Sequence, residues 1–305
     1  MNRFRITASD GAEVSAYSWL PEGDLTASIQ IAHGMGEHAQ RYDHVANRLV
    51  EAGYGVFAND HRGHGATAPS GELGYMGPDG WNRVLADTYE LHLHIERTTP
   101  DARRVLLGHS MGASLAQLYA VRYGAVLHAL VLSGSPGFGR GLRPWIGALV
   151  ARVEALRLGA NRESTLLQNM LFGGANKPFD GPNATGYEWL SRDAEQVSKY
   201  ADDPLCGFVL KPQSLCDYMS GGRVAANKEA IARIPGALPI YVFSGKDDPV
   251  HNEEANLNAL VGAYRDAGLK VDYELYPGGR HEMFNETNRE EVIDHLIDWL
   301  AKALR

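Results

Sequence analysis

Apolar runs of strand length alternate with helical periods along most of this chain, and that alternation predicts an α/β protein built on a mostly parallel sheet. Three observations carry the prediction. Strand-like runs lie near 3–7, 14–19, 28–32, 55–59, 104–108, 129–133, 239–244 and 271–276. Helical patterns fill most of the intervals, at 41–52, 80–97, 111–123, 253–267 and 289–303. One interval breaks the rhythm: Ser133 to Pro239 is about 105 residues, where a single crossover with its helix needs about 30.

Each element has a local reason. The start, MNRFRITASDGAEVSAYSW, alternates in strand fashion about an SDG turn and predicts an opening hairpin. From the third strand onward, strand and helix follow one another, as right-handed crossovers between parallel strands require. In the long interval, Trp145, Ile146, Leu149, Val150, Val153 and Leu156 recur at helical spacing after the SGSPGFGRG loop. Residues 137–228 are therefore expected to form a mostly helical cap between the sixth and seventh strands. The core is then 1–136 and 229–305, with an eight-stranded sheet flanked by helices. No repeats or low-complexity tracts interrupt it.

Composition narrows the function classes. With 305 residues, 44% of them hydrophobic, the chain can bury a sizeable core. A net charge of −8 and no long run of Lys and Arg argue against a nucleic-acid partner. Cys206 and Cys216 are the two cysteines, without metal-binding spacing, so neither a disulfide framework nor a zinc site is expected. The start lacks the apolar core of a signal peptide, and no run approaches the roughly 18 apolar residues of a membrane span. A cytoplasmic protein is expected.

The stretch VLLGHSMGASLAQLYA, 105–120, is where chemistry first shows. A G-x-S-x-G match alone is weak, since chance yields about 0.2 per chain of this composition. Context strengthens it: Val105 to Leu107 read as a buried strand and Ala113 to Tyr119 as a helix. A strand, a tight turn and a helix are what a nucleophile elbow requires, with Gly108 and Gly112 allowing strand and helix to approach. Ser110 would then stand clear of the sheet at a helix N-terminus, where unpaired N–H groups favour developing negative charge.

A serine hydroxyl needs a base and an orienting acid. In a hydrolase of this architecture the acid and the histidine follow the serine on loops at the carboxyl ends of later strands. IYVFSGKDDPVHN presents Asp247 and Asp248, and VDYELYPGGRHEMFNE carries His281. Adjacent residues on an extended loop point to opposite sides, and Pro249 stiffens the chain after Asp248, so Asp248 is preferred. His281 would take the Ser110 proton and return it to the leaving group. The tetrahedral intermediate needs donors, expected from the backbone N–H groups of Met111 and of Met35 in IAHGMGEHAQRY. His33 is expected to pin that loop.

These segments carry a family resemblance. HGMGEHAQRY, NDHRGHG, GHSMG, SGKDDPV and GGRHEMFNE occur in this order over residues 33–286, and the set resembles the monoacylglycerol lipase and lysophospholipase branch of the α/β-hydrolases. The resemblance implies a serine hydrolase with Ser110, Asp248 and His281 as triad and with Met35 and Met111 supplying the oxyanion hole. It also implies that Arg41, Tyr42 and His109 lie near the alcohol side of the substrate.

Blander readings stand beside these. Glu37 and His38 read as loop-stabilising groups, and Asp60, Arg62 and His64 as braces for the oxyanion loop. HEMFN lacks the second histidine of a zinc helix, and His92 and His94 face different sides of theirs. GMGEHA, 34–39, satisfies a dinucleotide pattern with Asp60 at the end of the next strand, which makes an NAD-dependent oxidoreductase the competing enzyme class. A binding module that has lost its chemistry is a third class, disfavoured because no triad member is missing. Trp145, Leu166, Leu167, Met170, Leu171 and Phe172 read first as a cap core, and second as a surface for an acyl chain or for transient membrane or micelle contact.

The expectation is thus an α/β-hydrolase that cleaves carboxylic esters without metal or organic cofactor. A monoacylglycerol is the first substrate expected. Lysophospholipids or general short-to-medium acyl esters come second, with amides also open to the same triad.

Overall fold

The first two strands, β1 (Asn2–Thr7) and β2 (Glu13–Trp19), pair antiparallel in the expected hairpin. The computed structural model describes residues 1–23, 25–139 and 143–305, so the end of the SGSPGFGRG loop lies outside the described residues. Beyond β2, which is antiparallel to β4 (Tyr54–Asn59), every neighbouring pair is parallel. The other strands are β3 (Ala27–Ala32), β5 (Arg103–His109), β6 (Ala129–Ser133), β7 (Ile240–Gly245) and β8 (Val271–Tyr276). Their order across the sheet is β1-β2-β4-β3-β5-β6-β7-β8.

That order places the site. The chain proceeds outward from β3 to β4, then returns to lay β5 on the other side of β3. Loops leaving β3 and β5 therefore diverge, and a crevice opens at the carboxyl ends of these two strands. Strands β3, β4, β6 and β7 are buried along their whole length, as parallel strands covered on both faces must be.

Helices supply the two covers. On one face, α1 (Asp43–Glu51) and α10 (Arg289–Ala303) bring Val45, Leu49, Ile293 and Leu296 against Ile29, Val56 and Val131. On the other, α2 (Gly80–Thr98), α3 (Met111–Tyr123) and α9 (Ala255–Asp266) pack Leu85, Leu115, Leu118 and Leu260 against Leu106 and Leu130. Helix α3 is buried nearly all round, so it is the central helix of the molecule.

Between β6 and β7 lie α4 (Arg143–Leu158), α5 (Thr165–Phe172), α6 (Ala194–Asp202), α7 (Pro212–Gly222) and α8 (Lys228–Ile231). Helix α4 packs on α7, but not through its large apolar residues. Trp145, Ile146, Leu149, Val153 and Leu156 are exposed, Leu156 by 82%. Of the residues expected in a cap core, Trp145, Leu166 and Met170 are exposed, whereas Leu167 is buried and Leu171 and Phe172 pack partly buried against core residues. The buried face of α4 is instead Gly147, Ala148 and Ala151. Small residues allow the close approach: a Cβ on Gly147 would stand 2.9 Å from the Met219 sulfur. No described helix is long and apolar enough to cross a membrane.

The contact between β5 and α3 is tighter still. A Cβ on Gly108 would lie 2.2 Å from the Gly112 carbonyl oxygen, and one on Gly112 would lie 2.0 Å from the Ala32 carbonyl oxygen. Gly262, inside α9, meets nothing within 4 Å. Gly112→Ala is expected to lower stability by about 2 kcal/mol or more through overpacking, whereas Gly262→Ala should raise it by about 0.5–1 kcal/mol through helix propensity. Urea unfolding of the two variants checks this, and equal midpoints would contradict the packing described.

Candidate active site

Ser110 sits in the crevice between the loops leaving β3 and β5. Its φ of 54° and ψ of −115° are left-handed territory that a residue with a Cβ rarely occupies, at a cost of about 1–3 kcal/mol. Neighbouring structure imposes the geometry: the Ser110 N–H donates to the Ser133 carbonyl at 3.0 Å, and the Ser110 carbonyl accepts from Ala113 N at 3.0 Å. The side chain faces a cavity of about 530 Å³ whose wall is mainly apolar, including Phe138, Leu171, Phe172 and Met219. Its hydroxyl makes no hydrogen bond among the described residues.

Asp248, just past β7, is buried and saturated with donors. Its Oδ1 accepts from Val250 N at 2.9 Å, and its Oδ2 from the Ser244 hydroxyl at 2.9 Å and from His281 Nδ1 at 2.8 Å. Asp247 points to solvent. Burial opposes the Asp248 charge, but His281 and the hydrogen bonds outweigh it, and the carboxyl is held below its ordinary range. Burial likewise opposes charging of His281, yet the Asp248 carboxylate raises the imidazole above its usual value. An ionised acceptor at Nδ1 fixes the proton there and leaves Nε2 as a lone pair. His281 lines the same cavity as Ser110.

The ring of His281 lies between two others, His109 at 4.8 Å and Trp189 at 5.0 Å between centroids. Trp189 belongs to the segment between α5 and α6, which is stitched to the histidine loop. His281 N donates to Trp189 O at 3.3 Å and Glu282 N to Leu190 O at 2.7 Å. Arg280 Nη1 donates to the carbonyls of Glu188 and Ser191, and Arg192 pairs with Glu286. Trp189 carried no signal in the sequence, because a lone aromatic in a loop has no period.

The loop after β3 is held from below by buried polar groups. Glu37 Oε1 accepts from Gly34 N at 2.6 Å and from the Tyr42 hydroxyl at 3.0 Å. His33 Nε2 accepts from His61 N, so its proton is on Nδ1, directed to the Gly34 carbonyl. The His61 and His64 rings pack against it at 4.0 and 5.1 Å. Asp60 braces the loop through Ala39 N, and also takes Ala66 N and the Tyr17 hydroxyl. Its carboxylate is thereby committed inside the protein, which removes the acid that a dinucleotide reading needed for a ribose. Arg62 braces elsewhere, on Asp10 and Asp87. Held this way, the Met35 N–H donates to no group among the described residues, and neither does that of Met111, the first residue of α3.

The residues expected near an alcohol group divide. His109 lines the cavity, but Arg41 and Tyr42 lie behind its wall. Arg41 is buried and bidentate to Glu282 at 2.6 and 2.7 Å, bonds Glu37 Oε2 at 2.8 Å, and stacks over Tyr200. It acts through the two carboxylates, which do reach the cavity. Burial raises Glu282 but Arg41 overrides it, bringing the group to about 2; burial pushes Glu37 upward with Arg41 opposing. Glu282 was legible only as the neighbour of His281. His92 and His94 stack on Tyr89 and Phe4 respectively, on different sides of α2.

This fold and this crevice define an α/β-hydrolase of the serine-hydrolase class, a carboxylic-ester hydrolase. Residues 23–288 match the Hydrolase_4 family, described as serine aminopeptidase, S33, and the chain belongs to that family. It is 30% identical over 290 residues to a monoacylglycerol lipase of Mycolicibacterium smegmatis, covering 94% of this chain and 92% of that one. A monoglyceride lipase of Mus musculus is 28% identical over 304 residues, 98% of this chain and 90% of the other. Among solved structures, a thermostable carboxyl esterase from Bacillus coagulans, in complex with glycerol, superposes with a TM-score of 0.91 at 28% identity, covering 100% and 99% of the two chains.

The histidines under the loop set a pH dependence of stability. Burial, joined by neighbouring imidazoles, depresses His33 well below its ordinary value, His61 to about 3 and His64 to about 4. The unfolded chain binds protons that these folded rings refuse. Their contribution is therefore complete above pH 6.5 and is lost as pH falls toward 4. At pH 5 the loss is about 2 kcal/mol for each of His61 and His64. Urea unfolding at pH 7 and pH 5 is expected to differ by at least about 4 kcal/mol on that basis; coincident curves would mean that the rings are charged in the folded protein.

Proposed function

We propose that this protein hydrolyses monoacylglycerols through an acyl-enzyme on Ser110, with His281 as base and acid and Asp248 as its orienting partner. The observation that carries the proposal is the 2.8 Å contact of Asp248 with His281 Nδ1, which leaves Nε2 basic in the apolar cavity that also holds Ser110. Nε2 removes the hydroxyl proton as Oγ attacks the ester carbonyl. The hydrogen bond required for that step tightens when substrate excludes water. Negative charge gathers on the carbonyl oxygen and is met by the N–H groups of Met35 and Met111, each worth about 3 kcal/mol of barrier.

The imidazolium is stabilised by Asp248. It is not opposed by His109, which burial and the charge of His281 hold near 3 and therefore neutral. Nε2–H then protonates the glycerol oxygen, the C–O bond breaks, and the acyl group stays on Ser110. A water molecule repeats the sequence from the same side, returning the fatty acid and the free serine. The apolar wall suits an acyl chain, while Glu37, Glu282 and His109 form the polar rim where the alcohol leaves. The oxygens of those two carboxylates are already taken by Arg41, and by Gly34 N, the Tyr42 hydroxyl and Asn285, so they are not free to hold an α-ammonium group, which favours an ester over an N-terminal peptide. The similarity to the Bacillus coagulans esterase supports a second reading, a general carboxylesterase.

Residues 137–228 would form the lid over this cavity, between core halves 1–136 and 229–305. The exposed stripe of Trp145, Leu149 and Leu156 on α4 supports a lid that rests on micelles or membranes while it loads lipid.

Rates on monoacylglycerols and nitrophenyl esters of increasing chain length separate the readings. Ser110→Ala is expected to lower kcat by at least about 10³-fold on every ester, and Leu149→Ser with Leu156→Ser to lower only the rates on micellar, long-chain substrates. Full activity in Ser110→Ala would sink the mechanism, and a preference for short soluble esters would leave the general esterase. A second measurement is the pH profile of kcat/KM. His281 must be neutral in the free enzyme, and Asp248 raises its pKa, so activity should fall in acid with a midpoint above 6.5. An acid limb below 6.5 would contradict that coupling.

A further inference from the structure

Beside the loop that carries Met35, three donors of different chemistry converge from distant parts of the chain. His38 ends that loop, and Asp203 and Cys206 occupy the turn between α6 and α7. An imidazole nitrogen, a carboxylate oxygen and the thiol sulfur all lie within 4.8 Å of one another. Cysteine spacing alone hid this group, because His38 and Asp203 stand 165 residues apart.

The arrangement is built. Asp203 Oδ1 accepts from Leu205 N at 2.8 Å, which turns Oδ2 toward His38 Nε2 at 2.9 Å. Burial works against the Asp203 charge, but the His38 bond and the Leu205 N–H outweigh it. The acceptor is thus ionised, and His38 Nε2 carries the proton. Nδ1 of the same ring is then a lone pair, buried and without a donor among the described residues, on a side chain only 8% exposed. The Cys206 backbone is fixed by a bond from its N–H to Asp203 O at 3.0 Å, and its thiol is free. Burial pushes that thiol upward; Arg41 opposes, but Arg41 is already held by Glu37 and Glu282.

We propose that His38, Asp203 and Cys206 form a binding site for one thiophilic divalent cation of the zinc or cadmium type. One carboxylate and one thiolate balance the two charges of the ion, and a mixed nitrogen, oxygen and sulfur set suits zinc over magnesium or calcium. Bound donors stand about 3.3–3.8 Å apart around zinc, so the group closes by roughly an ångström. The ion takes the place of the proton on His38 Nε2, the nitrogen that faces Asp203. That proton moves to Nδ1, which has no partner among the described residues, so the imidazole stays neutral; Asp203 is already ionised. The thiol is therefore the group that loses a proton, its S–H bond replaced by a sulfur–metal bond with one proton released. The ion would join the loop after β3 to the insertion, where Gly207 N and the Tyr200 hydroxyl already donate to Gly36 O at 2.9 Å.

The test is binding, so its outcome does not depend on the ester chemistry. Reduced, metal-stripped full-length protein is titrated with zinc by calorimetry in two buffers, and with cadmium while the thiolate-to-cadmium absorption band is followed. One ion per chain, about one proton released and a cadmium band are expected. Cys206→Ser should abolish the band, and both Cys206→Ser and Asp203→Asn should weaken zinc binding at least about ten-fold. Cys216→Ser should leave both readouts unchanged. Circular dichroism identifies either variant that fails to fold, in which case the other decides. No cadmium band in the wild type, or wild-type zinc affinity in the folded variants, overturns the site.

Discussion

Everything at the site depends on how closely α3 lies against the ends of β3 and β5. Gly112 meets the Ala32 carbonyl and Gly108 meets Gly112, with no room for a methyl group between them. Strand and helix can join at that distance only through a single residue turned sharply out of the sheet, and that residue is Ser110. The strain at its backbone is therefore a result of packing in the most buried part of the protein, where α3 has apolar neighbours nearly all round. Two conditions follow from one contact: the hydroxyl stands at the crevice, and the first N–H of α3 stands beside it.

Around this point the polar groups fall into two sets with opposite electrostatics. Beneath the loop after β3, His33, His61 and His64 are driven neutral by burial and make directional hydrogen bonds without charge. On the other side, His281 is made easier to charge by Asp248, and its neighbour His109 is kept neutral. A positive charge on His281 would thus meet the Asp248 carboxylate, with the neutral ring of His109 beside it. Arg41 completes the pattern at the cavity rim by bridging Glu282 and Glu37 with its one positive charge.

The eight strands and the helices of the core were legible in the sequence because each has one period and one environment. Continuous apolar runs such as Val56–Ala58 and Val105–Leu107 belong to strands covered on both faces, and α3 and α10 occupy the residues their periodicity marked. Ser110, Asp248 and His281 could be singled out because each stands in a loop whose glycines and neighbours carry a pattern. Helix α4 misled for a physical reason. Its large residues do repeat at helical spacing, but the face that packs is the small one, and periodicity does not say which stripe faces inward. Arg41, Glu282 and Trp189 depend on contacts across the fold, which no local pattern encodes.

The bonds from His281 N and Glu282 N to the carbonyls of Trp189 and Leu190 divide the insertion into parts that are differently attached to the core. Residues 188–193 are, in effect, a piece of the core that happens to be encoded within the insertion. A shift of their backbone would carry the histidine loop with it, since the two share main-chain bonds. Helices α4 and α5 carry no such main-chain bond to the histidine loop among the described residues, and their surface is freer to vary. A transplant of the insertion between relatives would thus have its natural seam just after α5, because Asn176, Thr185 and Gly186 are themselves bonded to Glu188 and Trp189, well inside the segment that the strand boundaries alone would mark for exchange.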